Sequence, residues 1–256
     1  MQPALGRRVL GVFAHPDDEA WSAGALFARC AHDGAEVHLI CATRGEGGSD
    51  RARRVSTRPE LAALRSDELG RAAAAMGCAP PRFLDLPDGG VSADDATRDA
   101  LARHVSELAP DLVVTLGRDG GYGHNDHLAT TALVDLALDA LGATPRVLHA
   151  VFPRGVFDPV HRRLMRSARG RSLLGPIPGD RLGVDDGAVD LIVPSGPFRA
   201  VKLAALTAHL SQLPDGDPFR FLHPGLITPL LEAEWFTVAR GPRLPRGATD
   251  PFTGLR

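Results

Sequence analysis

Residues 7–42 give the clearest indication of the fold and read RRVLGVFA, HPDDE, AWSAGALFARCAHDG and AEVHLICA. An apolar run is followed by a polar loop, a helical pattern and a second apolar run. Strands that are apolar along their whole length are typical of a parallel sheet, because helices cover both of its faces. The stretch therefore predicts a strand, a helix and a parallel strand joined by a right-handed crossover.

The same alternation continues along the chain to about residue 150. DLVVTLG at 111–117 and RVLHAVF at 146–152 predict two further strands, with a helical pattern over 126–141 between them. We expect a Rossmann-like α/β fold, in which a mostly parallel sheet carries helices on both faces. A single domain is expected over residues 1–240, followed by an exposed tail over 241–256.

The segment from residue 153 to residue 187 shows little periodicity and is long for a plain connection. It is rich in arginine, and two interpretations stay open. In the first, the segment is a lid insertion or a patch that faces an anion. In the second, it is a helical excursion whose charges are solvated. Its arginines are Arg154, Arg162, Arg163, Arg166, Arg169, Arg171 and Arg181.

Composition limits the function further. The chain has 256 residues, 44% of them hydrophobic, and 29 basic against 31 acidic residues give a net charge of −2. This balance excludes general disorder and does not favour nucleic acid or a membrane surface as a partner. The three cysteines form no C-x-x-C pair, which is typical of a reducing compartment, so we expect a cytoplasmic protein. An oligomer is possible, but the sequence does not indicate its interface.

A polar cluster follows the first predicted strand and comes directly before a helix. It contains His15, Asp17, Asp18 and Glu19. In open α/β sheets, ligands bind outside the carboxyl ends of the strands, where this cluster is expected to lie. Capping of the helix would account for one carboxylate and leave the histidine and the other acids unexplained.

A second polar cluster follows a later strand in the same way and reads YGHNDH over 122–127. If the two strand ends converge, His15, Asp18 and His127 form a nitrogen and oxygen site with a position left for water, which is typical of catalytic zinc. Asp17 lies next to one of these ligands and is free to act as a general base.

At these two clusters the chain resembles the LmbE-like, or PIG-L, family of metal-dependent N-deacetylases. The family motif A-H-P-D-D is present as AHPDDE at 14–19, and its H-P-D-H motif is present as HNDH, with Asn125 in place of proline. TRGE at 43–46 and LPDG at 86–89 also match, and weaker likeness extends to about residue 213. The exchange at Asn125 changes the stiffness of the loop but removes no ligand.

The resemblance implies a deacetylase for N-acetylglucosamine-type sugars that binds Zn²⁺, with Fe²⁺ as another divalent candidate. By the same resemblance, His124 stabilises the oxyanion and helps to protonate the leaving group, and Asp126 orients the ring of His124. Tyr122 matches a tyrosine that polarises the amide carbonyl in mycothiol-pathway members of the family. Arg65 and Asp88 match positions that bind sugar hydroxyls, although Arg65 would also suit a surface ion pair.

Three other functions are considered. The same metal centre would serve an amidase for a larger amide, such as a thiol conjugate or a natural-product intermediate. A non-catalytic sugar-binding relative would be expected to lose Asp17 or a ligand, and all of these residues are present. A dinucleotide-binding domain is disfavoured, because no G-x-G-x-x-G follows the first strand.

Overall fold

The computed structural model describes residues 4–52, 54–221, 224–245 and 247–255. The strands of this part of the chain are β1 (Arg8–Phe13), β2 (Glu36–Cys41), β3 (Arg82–Phe83), β4 (Leu112–Leu116), β5 (Arg146–Val151), β6 (Leu191–Pro194) and β7 (Ala233–Arg240). They form one sheet in the order β3-β2-β1-β4-β5-β7-β6. The first five strands in this order pair in parallel, whereas β7 is antiparallel to both β5 and β6.

Helices connect these strands. They are α1 (Asp18–His32), α2 (Arg58–Met76), α3 (Asp95–Leu108), the single turn α4 (Gly120–Gly123), α5 (Asn125–Leu141), α6 (Asp158–Leu164), α7 (Ala168–Leu173), α8 (Arg199–Ala208), α9 (Pro218–Phe221) and α10 (Pro224–Glu232). Helices α1, α2 and α8 pack together on one face of the sheet, and α3 and α5 pack together on the other. The predicted fold class is confirmed.

The first strand shows why its sequence is apolar throughout. Val9 and Phe13 lie in the core between the sheet and helices α1 and α2, whereas Leu10 and Val12 lie in the core beneath α3 and α5. All four side chains are at most 2% exposed. Because successive strand residues point to opposite faces, a strand covered on both faces needs apolar residues at every position.

The segment 153–187 folds into the short helices α6 and α7 and several turns, and it lies over the carboxyl ends of the strands. The tail after residue 240 differs from the expectation. Most of its side chains are exposed as far as residue 250, but Pro251 and Phe252 are buried. The guanidinium of Arg146 donates to the carbonyl oxygens of Pro242 and Pro251, which ties the tail to the start of β5. The prediction of an exposed tail therefore does not hold for Pro251 and Phe252.

The order of the strands places a crevice at the ends of β1 and β4. Strands β1 and β4 are neighbours, and the chain leaves β1 toward β2 on one side and β4 toward β5 on the other. Such a reversal opens a crevice at the carboxyl ends of the two strands, where ligands bind in doubly wound folds.

Among the described residues, no helix is both long enough and apolar enough to cross a membrane.

Candidate active site

The two polar clusters predicted from the sequence meet in one cleft at the ends of β1 and β4. The cleft has a volume of about 580 Å³, within the usual range of small-molecule sites. Two consecutive glycines, Gly120 and Gly121, both have positive φ values, 62° and 71°, and turn the chain sharply after β4. A Cβ on Gly120 would lie 3.2 Å from Cβ of His127, so a side chain here would crowd a site residue.

His15, Asp18 and His127 bring four electron-donating atoms together, one nitrogen from each histidine and both carboxylate oxygens of Asp18. Nδ1 of His15 lies 3.2 Å from Nε2 of His127 and 3.4 Å from Oδ2 of Asp18, and Oδ1 of Asp18 lies 3.3 Å from Nε2 of His127. In a tetrahedral zinc site with bonds of 2.0–2.1 Å, neighbouring ligand atoms are separated by about 3.3–3.4 Å. The observed separations fit a bound divalent cation.

The other nitrogen of each histidine faces a hydrogen-bond acceptor. Nδ1 of His127 lies 2.9 Å from the carbonyl oxygen of Gly120, and Nε2 of His15 lies 3.1 Å from Oδ2 of Asp126. Because both partners are acceptors, a ring that carries a single proton carries it on this nitrogen. Its remaining nitrogen then presents a lone pair beside the Asp18 carboxylate, as ligation of a metal ion requires.

His124 offers an alternative third ligand, because the ligand atoms of His15, His124 and His127 all lie within 4.8 Å of one another. The contacts of His124 disfavour this alternative. Its Nδ1 accepts the backbone N–H of Asp126 at 3.1 Å and so caps helix α5, which leaves Nε2 as the protonated nitrogen of the neutral ring. Burial and the nearby charges of His127 and His15 lower the pKa of His124 to about 3. His124 is therefore a neutral hydrogen-bond donor.

Asp126 has a different role from the one expected. Its carboxylate contacts Nε2 of His15 and accepts the backbone N–H groups of Gly89, at 2.7 Å, and Val91, at 3.2 Å. Only its backbone N–H contacts His124. The expectation that Asp126 orients the ring of His124 is wrong for its side chain, because the start of α5 turns the carboxylate toward β1. Asp126 orients His15 instead.

Asp17 is held in a strained conformation beside the candidate metal-ligand cluster, which is formed by His15, Asp18 and His127. Its φ is 122°, which is unfavourable for a residue with a side chain. Its backbone N–H donates to Oε2 of Glu19 at 3.0 Å, and Oε1 of Glu19 contacts Nε2 of the buried His209 at 2.7 Å. Its side chain makes no helix-capping hydrogen bond, so capping of α1 does not explain this carboxylate. Burial, opposed by the positive charge of Arg65, raises the pKa of Asp17 to about 6.

Arg65 is buried, at 3% exposure, and not on the helix surface. Its guanidinium donates to the carbonyl oxygens of Gly45 and Pro16 and lies 3.2 Å from Oδ2 of Asp17. The guanidinium of Arg65 can pack against Gly45 only because this residue has no side chain. A Cβ at Gly45 would lie 2.1 Å from Nη1 of Arg65. The surface ion-pair alternative is thereby excluded. A sugar-binding role for Arg65 stays a prediction, and its observed contacts hold the carboxylate of Asp17.

The two remaining predicted residues also line the cleft. Oδ1 of Asp88 lies 3.3 Å from Nε2 of His15, and Oδ2 accepts the N–H of Gly47 at 2.8 Å. Although burial opposes the shift, the hydrogen bond with His15 lowers the pKa of Asp88 to about 2. The ring of Tyr122 packs edge-on against His127, with the ring centroids 5.2 Å apart. The structure thus brings all nine predicted site residues together.

Sequence reasoning missed several cleft residues. Trp21 lines the cleft, and its position three residues after Asp18 on α1 is the signal that would have found it. Phe152 and Phe157 form an apolar wall, with their rings edge-on at 4.5 Å, and Phe157 belongs to the arginine-rich segment. Their spacing in the sequence gave no signal for this contact, because it depends on how that segment folds back over β5.

Comparison with known proteins adds to this geometry. The model of the PIG-L family, described as GlcNAc-PI de-N-acetylase, matches residues 10–138. A curated deacetylase for 1D-myo-inositol 2-acetamido-2-deoxy-alpha-D-glucopyranoside, from Streptomyces avermitilis, is 32% identical over 302 residues, covering 100% of this chain and 99% of that protein. The chain belongs to the PIG-L family. The resemblance seen in the two sequence motifs is therefore confirmed, and it extends over the whole chain.

Solved structures place the PIG-L fold among proteins of different activity. N,N'-diacetylchitobiose deacetylase from Pyrococcus horikoshii has a TM-score of 0.64 at 22% identity, covering 92% of this chain and 84% of that one. GalB, the 4-carboxy-2-hydroxymuconate hydratase from Pseudomonas putida, also has a TM-score of 0.64, at 19% identity, covering 95% of this chain and 100% of that one. Because one fold carries both names, function must be argued from the site residues.

Proposed function

We propose that this PIG-L protein hydrolyses the acetamide of an N-acetylglucosamine-type substrate and releases acetate and an amine. The observation that carries the proposal is the convergence of His15 Nδ1, Asp18 and His127 Nε2 within 3.4 Å, beside the buried carboxylate of Asp17. Metal ligands with an adjacent base are what water needs to attack an amide at neutral pH.

His15, Asp18 and His127 would hold the metal. Three nitrogen and oxygen ligands suit Zn²⁺, and Fe²⁺ is the other candidate. The bound ion would lower the pKa of a water molecule and withdraw charge from the amide oxygen. Asp126 and the Gly120 carbonyl oxygen keep both imidazoles in the orientation and tautomer that ligation needs.

Asp17 would act as the general base. It takes one proton from the attacking water as the new carbon–oxygen bond forms, and it returns that proton to the amine nitrogen as the carbon–nitrogen bond breaks. Arg65 holds one oxygen of the carboxylate, and Glu19 holds the backbone N–H, so the base cannot rotate out of position. Such fixed placement lowers the barrier because the orientation has been established before the reaction.

His124 would stabilise the developing oxyanion. Its Nδ1 accepts a backbone hydrogen bond, so its Nε2–H is available to donate into the cleft. Its depressed pKa makes it a neutral donor, so the proton for the leaving amine is assigned to Asp17. Tyr122, which packs on both His124 and His127, is the second candidate donor to the amide oxygen.

The substrate class rests on the relatives, whose names describe deacetylases of acetamido sugars. The test is to measure released amine with fluorescamine from N-acetylglucosamine, from its glycosides and from larger N-acyl conjugates. Acetyl sugars are expected to react fastest. If the larger amides react and the acetyl sugars do not, the alternative amidase is correct. Saturable sugar binding without any release would instead indicate a non-catalytic sugar-binding protein.

We also propose a cytoplasmic location. Cys30, Cys41 and Cys78 are all free thiols, and burial raises the pKa of each of them, so they are poorly reactive. Three free thiols, two of them buried, suit a reducing compartment. Cell fractionation with an antibody to the chain tests this proposal, and recovery in the culture medium would contradict it.

A further inference from the structure

The cleft continues from the metal-ligand cluster toward a cationic rim, defined here as Arg51, Arg163 and Arg169. Arg51 comes from the loop after β2, and the other two come from the arginine-rich segment. Nη2 of Arg169 donates to the carbonyl oxygen of Gly47 at 3.1 Å, which joins this segment to the loop across the mouth of the cleft. Burial and the charge of Arg163 lower the pKa of Arg51. The rim therefore brings like charges close together.

The acidic side chains near the rim are already engaged by other groups. Asp17 faces Arg65, and Asp88 faces His15 and the N–H of Gly47. Asp50 accepts backbone N–H groups of its own loop. Within the described residues, neither Arg163 nor Arg169 forms an ion pair with a carboxylate. Arg163 and Arg169 thus bring positive charge to the rim that no carboxylate of the described residues pairs with.

Adjacent arginines in the same helix differ in this respect. Nη1 of Arg162 lies 3.6 Å from Oδ2 of Asp158, one helical turn earlier in α6. Arg162 does not line the cleft, whereas Arg163 does. The two residues have the same charge and neighbouring positions, but only one of them faces the site. Comparing variants of Arg162 and Arg163 therefore separates the effect of a contact in the cleft from the general effect of removing a positive charge.

We propose that the rim binds an anionic group, a phosphate or a carboxylate, carried by the N-acetyl sugar substrate. This inference rests on the proposed deacetylation and specifies its substrate class. Guanidinium groups present paired N–H donors that match the oxygens of phosphates and carboxylates. An anion at the rim also relieves the repulsion between Arg51 and Arg163. The apolar wall and the metal-ligand cluster would hold the acetamide while the rim holds the anion.

The test compares anionic and neutral substrates of the same sugar. The kcat/KM for amine release is measured with methyl N-acetylglucosaminide, with N-acetylglucosamine 1-phosphate and 6-phosphate, and with N-acetylglucosamine linked to glucuronic acid. The phosphate and glucuronate arms distinguish the two kinds of anion. The wild-type protein is expected to prefer at least one anionic substrate, and added salt is expected to reduce that preference. The ratio of anionic to neutral kcat/KM should fall about tenfold in Arg163→Gln and stay the same in Arg162→Gln.

A binding measurement keeps the inference separate from the proposed chemistry. N-acetylglucosamine 1-phosphate and the glucuronate conjugate are titrated into Asp17→Asn protein in a calorimeter. Both are expected to bind more tightly than the methyl glycoside. This difference in affinity should be lost when Arg163→Gln is added to Asp17→Asn. If no substrate releases amine but anionic ligands still bind more tightly through Arg163, the proposed deacetylation is refuted and the proposed anion binding is supported. If the neutral substrate is preferred, or if Arg162→Gln and Arg163→Gln act equally, the rim proposal is overturned. The proposal is also overturned if neither turnover nor binding depends on Arg163.

Discussion

Oδ2 of Asp126 lies 3.1 Å from Nε2 of His15, on the side of the ring opposite the nitrogen that faces Asp18 and His127. The same carboxylate is fixed by two backbone N–H groups from the loop at Gly89 and Val91. A carboxylate in this position fixes the tautomer of a ligating histidine and strengthens it as a ligand. Helix α5 therefore carries both the proposed ligand His127 and the carboxylate that contacts the proposed ligand His15 in the loop after β1.

The first prediction concerns this orientation. Asp126→Asn is expected to weaken Zn²⁺ binding by about 10- to 100-fold, because an amide holds the His15 proton less firmly than a carboxylate does. Competition with a chromogenic chelator measures the dissociation constant. Asp139→Asn, which alters an exposed carboxylate on the same helix, is the control and should bind as tightly as the wild type. Equal affinity in both variants would show that Asp126 does not orient the ligand.

The second prediction separates the base from the ligands. Asp17→Asn is expected to retain one metal ion per chain and to reduce kcat by at least about 10²-fold, because the variant lacks a proton acceptor. Metal content by elemental analysis and kcat by amine release are measured on the same sample. Turnover close to that of the wild type would assign the base to another residue, and loss of metal would make Asp17 a ligand.

The third prediction tests how Arg65 is held. Gly45→Ala places a Cβ 2.1 Å from Nη1 of Arg65, so the guanidinium must move away from Asp17. We expect kcat to fall by about 10- to 100-fold. Gly6→Ala is the matched control, since Gly6 has nearly the same φ, +75° against +72°, and nothing within 4 Å of its Cβ position. If both alanine variants have the same kcat, the position of Arg65 is not important for turnover.

The fourth prediction concerns a buried ion pair beneath the site. Nζ of Lys202 lies 2.6 Å from Oε1 of Glu234, whose carboxylate also accepts the backbone N–H groups of Ala25 and Leu26 within α1. Lys202→Met should lower the free energy of unfolding by about 3–5 kcal/mol, because it leaves a buried charge without its partner.

Urea denaturation measures this loss, with two further variants for comparison. Adding Glu234→Gln to Lys202→Met should recover part of the stability, because no unpaired charge then remains in the core. Arg154→Met removes one partner of the exposed pair with Asp185 and should cost less than about 1 kcal/mol. A Lys202→Met protein as stable as Arg154→Met would show that the buried pair contributes no more than a surface one.

Much of this molecule could be predicted from local sequence. The continuous apolar strands indicated a parallel sheet, and the polar residues after two of them indicated a site at one sheet edge. These predictions succeeded because a strand buried on both faces and a ligand loop at a strand end each leave a pattern within a few residues. The convergence of His15, Asp18 and His127 was predicted in this way.

The remaining features depend on contacts between distant residues. The carboxylate of Asp126 points to His15 rather than His124 because of the way α5 leaves β4, which no spacing in the sequence reveals. Arg65 reaches Asp17 across Gly45, over a separation of 48 residues. Phe252 is buried although most of the described residues from 241 to 249 are exposed. Long-range packing of this kind has no local period to detect.

Metal dependence is tested by amine release from an N-acetylglucosamine glycoside with metal-stripped protein, as Zn²⁺ is added in known equivalents. We predict no release without metal, a rise up to about one equivalent per chain, and no response in His127→Ala, which lacks a proposed ligand. Release that is independent of metal, or that persists in His127→Ala at wild-type rates, would show that hydrolysis does not depend on this metal site.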